Sequence, residues 1–227
     1  MIRAVAIDTS TWWGGVALVE GEGGAGEVVA ESALLVRDSH SRHLLPMLEH
    51  LLAEAGWGRS DVDLYASTRG PGSFTGLRVG LGTLKGLALA ADKPCFGVGS
   101  LESIAVANGR EDRDRVAVMD AGRSEIYVAR FTSGSFPPDA VIDPCLGKPD
   151  SVAAAESDPV VWIGPGAAMH RDALLAGCPG SLVRTVRHGV AGGAGLLAVR
   201  RHHDGLPSGS GMSPLYLRTP DAVLKAR

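Results

Sequence analysis

The chain has 227 residues, 45% hydrophobic and 21% charged, a globular composition long enough for one or two domains with a real core. Twenty-two Lys and Arg against 25 Asp and Glu leave a net charge of -3, and no basic stripe marks a chain that grips nucleic acid by itself. Three cysteines, Cys95, Cys145 and Cys178, form no Cys-x-x-Cys pair and suggest neither a disulfide framework nor a zinc knuckle.

Met1-Ile2-Arg3 runs straight into a strand-like stretch that ends at Asp8, a start that fits no signal peptide. No apolar run reaches the length of a membrane span, so a cytoplasmic protein is expected. The pattern predicts strands over 2–8, 13–20 and 28–36, with a glycine-rich hairpin loop over 21–27. A helix over 41–55, a strand over 63–67, a long helix over 74–91 and a short strand over 95–98 follow. Three antiparallel strands followed by helix-strand-helix units imply a mixed sheet with helices packed on it.

The plan then repeats. Val5-Ala6-Ile7-Asp8 is matched by Val116-Ala117-Val118-Met119-Asp120, each followed at the same distance by a second strand. Leu64-Tyr65-Ala66 leads to Gly70-Pro71-Gly72 and a helix, as Val160-Val161-Trp162-Ile163 leads to Gly164-Pro165-Gly166 and a helix. Two matched features in one order indicate a duplicated α/β unit. The division falls near Asn108-Gly109, giving a first lobe over 1–108 and a smaller second lobe over 109–210. A tail over 211–227 is expected to pack back on the first lobe.

The helix over 41–55 carries Leu44, Leu45, Leu48, Leu51, Leu52 and Ala55 on one stripe, its contact with the sheet. Met47, His43, His50 and Glu54 lie beside it. Pro46 lacks an N–H, so this helix should begin late or bend. Its histidines lack the acidic or cysteine ligands that would complete a metal site.

The helix over 74–91 contains Gly76, Gly80, Gly82 and Gly86. Each interior glycine costs about 1 kcal/mol relative to alanine, so packing must recover that loss. Leu77, Leu81, Leu84 and Ala88 form one apolar face, and Gly76, Gly80, Thr83 and Leu87 a second face of small or apolar groups. A helix so nearly free of charge should be buried on more than one side. The second face, with Met47 and His50, is expected to receive another protein, with wholly internal packing as the simpler alternative.

Asp8 and Asp120, on matched strand ends, could in principle hold a magnesium-nucleotide between the lobes, though both turns also serve as plain hairpins. Gly70-Pro71-Gly72-Ser73 stands between strand and helix, where backbone N–H groups can cradle phosphate, yet no Gly-Lys-Ser/Thr follows. Ser73 has no base nearby in sequence, and the Gly-x-Ser-x-Gly elbow is absent. No catalytic residue, cofactor or metal set is therefore expected, with Asp8 and Asp120 as weak nucleotide candidates.

Several segments closely resemble TsaB proteins: Ala6-Ile7-Asp8-Thr9-Ser10, Gly97-Val98-Gly99-Ser100-Leu101, Asp120-Ala121-Gly122-Arg123 and the tail Pro214-Leu215-Tyr216-Leu217-Arg218-Thr219-Pro220-Asp221-Ala222. The most specific is Arg69-Gly70-Pro71-Gly72-Ser73-Phe74-Thr75-Gly76-Leu77-Arg78-Val79-Gly80. The likeness is dense to about residue 105, sparse from 130 to 210 and clear in the tail. It implies two RNase H-like lobes of the actin, Hsp70 and sugar-kinase type. It also implies a scaffold role beside the catalytic paralogue TsaD and the ATPase TsaE, which transfer threonylcarbamoyl to the adenosine beside the anticodon of certain tRNAs. tRNA would then be met only through the complex, and the isolated chain could form a homodimer. The His-x-x-x-His metal motif of the catalytic paralogue has no counterpart here. Trp12-Trp13-Gly14 and the glycine-rich stretch 189–195 depart from the family pattern. The alternative reading is an enzyme, either a nucleotide-dependent phosphotransferase of this fold or a glycoprotease-like peptidase.

Overall fold

The computed structural model describes residues 1–36, 39–184 and 189–218. The first strands are β1 (Ile2–Asp8), β2 (Trp13–Glu22) and β3 (Ala25–Leu35). Next come α1 (His40–Glu54), β4 (Leu64–Gly70), α2 (Phe74–Ala91), β5 (Cys95–Gly99) and α3 (Ser100–Ala107). The second series is β6 (Arg115–Gly122), β7 (Glu125–Phe131), β8 (Ala140–Gly147), α4 (Pro149–Ala154) and β9 (Val161–Ile163). It ends with α5 (Pro165–Met169), α6 (Arg171–Gly177), β10 (Leu182–Arg184) and α7 (Val190–His203).

Two five-stranded mixed sheets result, in the orders β3-β2-β1-β4-β5 and β10-β9-β6-β7-β8. β1 pairs antiparallel with β2 and parallel with β4, and β6 does the same with β7 and β9. The two sheets thus share one strand plan, the duplication legible in the sequence. The expected hairpin loop over 21–27 is far shorter. Both strands run on until Gly23 and Gly24, whose positive φ of 59° and 82° closes a tight turn without a Cβ penalty. α1 also begins at His40 with Pro46 inside it, earlier than the proline suggested.

The helices cross between the halves. α1 and α2 cover one face of the first sheet, where Leu48, Leu52, Leu81 and Leu84 meet Val5, Ile7 and Val16. Its other face is closed by α7, whose Ala194, Leu197 and Ala198 pack with Ala4, Ala6 and Val19. α3, which follows the first sheet in sequence, instead sends Leu101, Ile104 and Ala105 into the core of the second. The two crossing helices touch closely: a Cβ on Gly193 would overlap the carbonyl oxygen of Ser103. Glycine at that position lets backbone meet backbone.

The tail then runs along both halves. Gly97 donates its N–H to Ser210 (2.8 Å) and Leu215 donates to the carbonyl of Arg69 (2.7 Å). Tyr216 stacks on Phe74 at 4.7 Å, and Arg218 reaches Ala121 O (2.6 Å) and Glu125. The tail residues Thr219 to Ala222 of the motif lie outside the described residues. Among the described residues no helix is long and apolar enough to cross a membrane.

Candidate functional site

Asp8 ends β1 as a buried carboxylate, only 3% exposed. Its Oδ1 accepts hydrogen bonds from Thr68 Oγ1 (2.6 Å) and the N–H of Ser10 (3.0 Å). Burial pushes its carboxyl above the ordinary range, opposed by these bonds and by the nearby His40. The turn that follows is roofed by the segment between β4 and α2. Ser73 donates its N–H to Ser10 O (2.7 Å), and Thr9 Oγ1 donates to the carbonyl of Gly76 (2.7 Å). A Cβ on Gly72 would overlap Ser10 O. Gly72 and Ser73 therefore pack on the Asp8 turn while Gly70 lies against the tail carbonyl of Leu215, and Ser73 caps α2 by accepting from Gly76 N (3.2 Å). The sequence did not single out Thr68 or Ser10, which position Asp8. A polar residue following an apolar strand was the signal available.

Asp120 behaves differently. It stands at the end of β6 with its side chain 40% exposed and its Oδ1 3.4 Å from His170 Nε2. No hydrogen bond joins it to Asp8 among the described residues, and no group of three or more His, Cys, Asp or Glu gathers there to hold a metal ion.

α1 and α2 lie side by side on the first sheet. Gly76 and Gly80 were expected on an outer face of α2, and the structure corrects this. Both are buried, and a Cβ would overlap Thr9, its carbonyl oxygen at Gly76 and its Oγ1 at Gly80. They exist to let the Asp8–Ser10 turn approach α2. The glycines facing outward are Gly82 and Gly86, where a Cβ would meet no atom within 4 Å. Thr83 and Leu87 are half-buried beside them, Leu89 is 85% exposed, Met47 is half-buried on α1, and His50 is exposed.

The chain is similar to known proteins over most of its length. The family model described as "TsaD: tRNA N6-adenosine threonylcarbamoyltransferase" matches residues 29–172, more than half of the chain. The tRNA threonylcarbamoyladenosine biosynthesis protein TsaB of Escherichia coli (strain K12) is 39% identical over 132 residues. That alignment covers 57% of this chain and 55% of the relative, so the chain spans about half the length of that protein. The protein of the same name from Bacillus subtilis (strain 168) is 28% identical over 236 residues, covering 97% of this chain and 96% of its own. The solved structure of YeaZ from Pseudomonas aeruginosa superposes with a TM-score of 0.75 at 28% identity, covering 96% of this chain and 100% of that one. An inorganic polyphosphate/ATP-glucomannokinase from Arthrobacter sp. strain KM shares the fold alone, with a TM-score of 0.54 at 10% identity, covering 89% of this chain and 100% of its own. Matched along nearly its whole length by a TsaB relative and built on the same fold, the chain belongs to the TsaB family.

Proposed function

We propose that this chain is a non-catalytic subunit of the machinery that places threonylcarbamoyl on the adenosine next to the anticodon of certain tRNAs. In this reading it works in the cytoplasm in a heterodimer with a TsaD-type catalytic subunit, alongside the ATPase TsaE, and meets tRNA only through the complex. The relatives named for tRNA threonylcarbamoyladenosine biosynthesis support the process. The observation that carries the scaffold role is the Asp8 turn: its carboxylate is buried and its hydrogen bonds are internal. A group that must meet a phosphate or a metal needs an open side, and this one is 3% exposed with Gly72 and Ser73 packed on the Ser10 turn beside it.

The partner surface is the outer side of α1 and α2, carrying Met47, His50, Gly82, Thr83, Gly86, Leu87 and Leu89, while Gly76 and Gly80 lie buried against Thr9. Exposed small residues four apart beside a projecting leucine let a partner helix lie close. The halves divide near residue 108, with the helices α3 and α7 exchanged across the division. A pull-down with this chain as bait, followed by mass spectrometry, tests the assembly, and a TsaD-type subunit should co-elute. Leu89→Glu, at an 85% exposed position, should lower that recovery at least about tenfold, equivalent to about 1.4 kcal/mol, with melting nearly unchanged. Full recovery with the folded variant would remove this surface from the interface. Tight ATP binding or turnover by the isolated chain would instead favour the enzyme reading.

A further inference from the structure

α2 carries two charged side chains, Arg78 and Lys85, and no Asp or Glu. The tail segment beside it, residues 207–218, has no acid either. Among the described residues neither Arg78 nor Lys85 meets a carboxylate at ion-pair distance. In a chain whose net charge is -3, these are two cations without a counter-charge.

Arg78 is held in place by rings instead. Its guanidinium lies 3.9 Å from the centre of the Phe74 ring, and its Nε donates to the Tyr216 hydroxyl at 3.1 Å. Tyr216 in turn stacks on Phe74 at 4.7 Å. The two terminal nitrogens of Arg78 have no partner among the described residues. A guanidinium fixed on an aromatic face with its fork free is arranged for bidentate binding of a carboxylate. Little side-chain freedom remains to be lost when that anion arrives.

A groove of about 330 Å³ opens beside this fork, with Arg78, Leu81 and Lys85 on one wall and Met212, Pro214 and Tyr216 on the other. Seven residues separate Arg78 from Lys85, about 10.5 Å along the helix, with Leu81 between them. Leu81 and Met212 are buried members of the core of the first sheet, so the groove has a fixed apolar floor. At Gly82 a Cβ would meet no atom within 4 Å, which leaves the space between the two cations open.

We propose that this groove is a binding site for a small amphipathic carboxylate. Arg78 holds its head, Lys85 adds a second positive charge, and its apolar body lies over Leu81 and Met212 beside the Tyr216 ring. Both cations, both walls and the aromatic clamp come from one chain. The site is therefore complete without a partner, and a free small molecule is its occupant. The volume is at the small end of ligand pockets, room for about ten non-hydrogen atoms. An inorganic anion would leave the apolar floor wet, and a neutral molecule would leave the fork unpaired.

Titration of the full chain with 4-phenylbutyrate, followed by backbone NMR, tests this proposal, with 4-phenylbutyramide and inorganic phosphate as controls. The expected result is saturable shifts confined to residues 78–85 and 212–216, with a Kd of about 1 mM or tighter. The amide and phosphate should each bind at least about tenfold more weakly. Arg78→Gln should abolish binding, and Arg78→Lys, which keeps the charge without the fork, should not restore it. Because Arg78 also holds Tyr216, two variants away from that contact carry the test. Lys85→Gln and Gly82→Leu, at exposed positions, should melt as wild type does, and should bind at least about threefold and tenfold more weakly. No saturable shift up to about 20 mM would overturn the proposal. So would equal binding of the amide, unchanged affinity in both folded variants, or shifts centred on the separate cavity lined by Val28, Val106, Phe136 and Leu196.

Discussion

Thr9 and Gly76 interlock: the Thr9 hydroxyl donates to the Gly76 carbonyl at 2.7 Å, while the Thr9 carbonyl fills the space a Gly76 side chain would need. The first turn of α2 is thereby clamped to the Asp8 turn, and this accounts for Gly76, and with the Thr9 hydroxyl for Gly80, in a helix where each interior glycine costs about 1 kcal/mol.

The glycines of α2 should therefore respond in opposite ways. Gly76→Ala drives a Cβ into backbone, and its net effect should be a loss of about 1–3 kcal/mol despite the gain in helix propensity. Gly82→Ala and Gly86→Ala meet open space and should each stabilise the isolated chain by up to about 1 kcal/mol. Thermal or urea unfolding of the three variants gives the comparison directly. A Gly76→Ala protein as stable as wild type would contradict the interlock.

Glu31 makes a second long-range tie, since α7 starts without a side-chain cap of its own. The β3 carboxylate supplies it, satisfying two first-turn N–H groups and facing the positive end of the helix. Glu31→Ala should cost about 2–3 kcal/mol, the scale of a lost charge-assisted hydrogen bond. Glu31→Gln should fall between, because an amide retains one acceptor. Equilibrium denaturation distinguishes the three proteins, and equal stabilities would show that the cap contributes nothing.

Much of the fold was legible because periodicity and turn residues are local. An apolar run ending at Asp8 marked β1, the leucine stripe marked α1, and the repeated Asp8 and Asp120 strand ends exposed the duplication that the two matching sheets display. What sequence could not supply is which neighbour fills a gap. Four glycines in α2 look alike on a helical wheel, yet Thr9 lies against two of them and solvent against the others. For the same reason the glycine-rich stretch 189–195 looked anomalous, whereas Gly193 is where α7 meets α3. The exchange of those helices depends on contacts far apart in sequence, and no local pattern encodes it.

Asp8 should make stability depend on pH in an unusual direction for an acid. Burial, offset in part by Thr68 and Ser10, raises its pKa in the folded state above the ordinary 3.8. The unfolded chain then releases the proton first, so stability is fullest below about 4 and declines as pH rises through the folded-state value. The hydrogen bonds from Ser10 N–H and Thr68 Oγ1 both fall on Oδ1, which an asparagine can reproduce. Asp8→Asn should thus remove this decline and be more stable than wild type at neutral pH. Melting curves of the two proteins from about pH 4 to about pH 8 provide the check. A wild type that instead gains stability over the variant as pH rises would show that the ionised carboxylate is favoured.

The scaffold assignment meets its most direct test in the rate of threonylcarbamoyladenosine formation by the reconstituted complex, with Asp8→Asn and Asp120→Asn combined in this chain. Asp8 is enclosed by its own fold, and among the described residues the Asp120 side chain makes one long contact, 3.4 Å to His170. The predicted rate at saturating subunit is within about twofold of wild type, since a lost catalytic group costs about a hundredfold or more. A fall of several hundredfold with assembly unchanged, on the order of a lost general acid or base, would contradict the account and make this chain part of the catalytic centre.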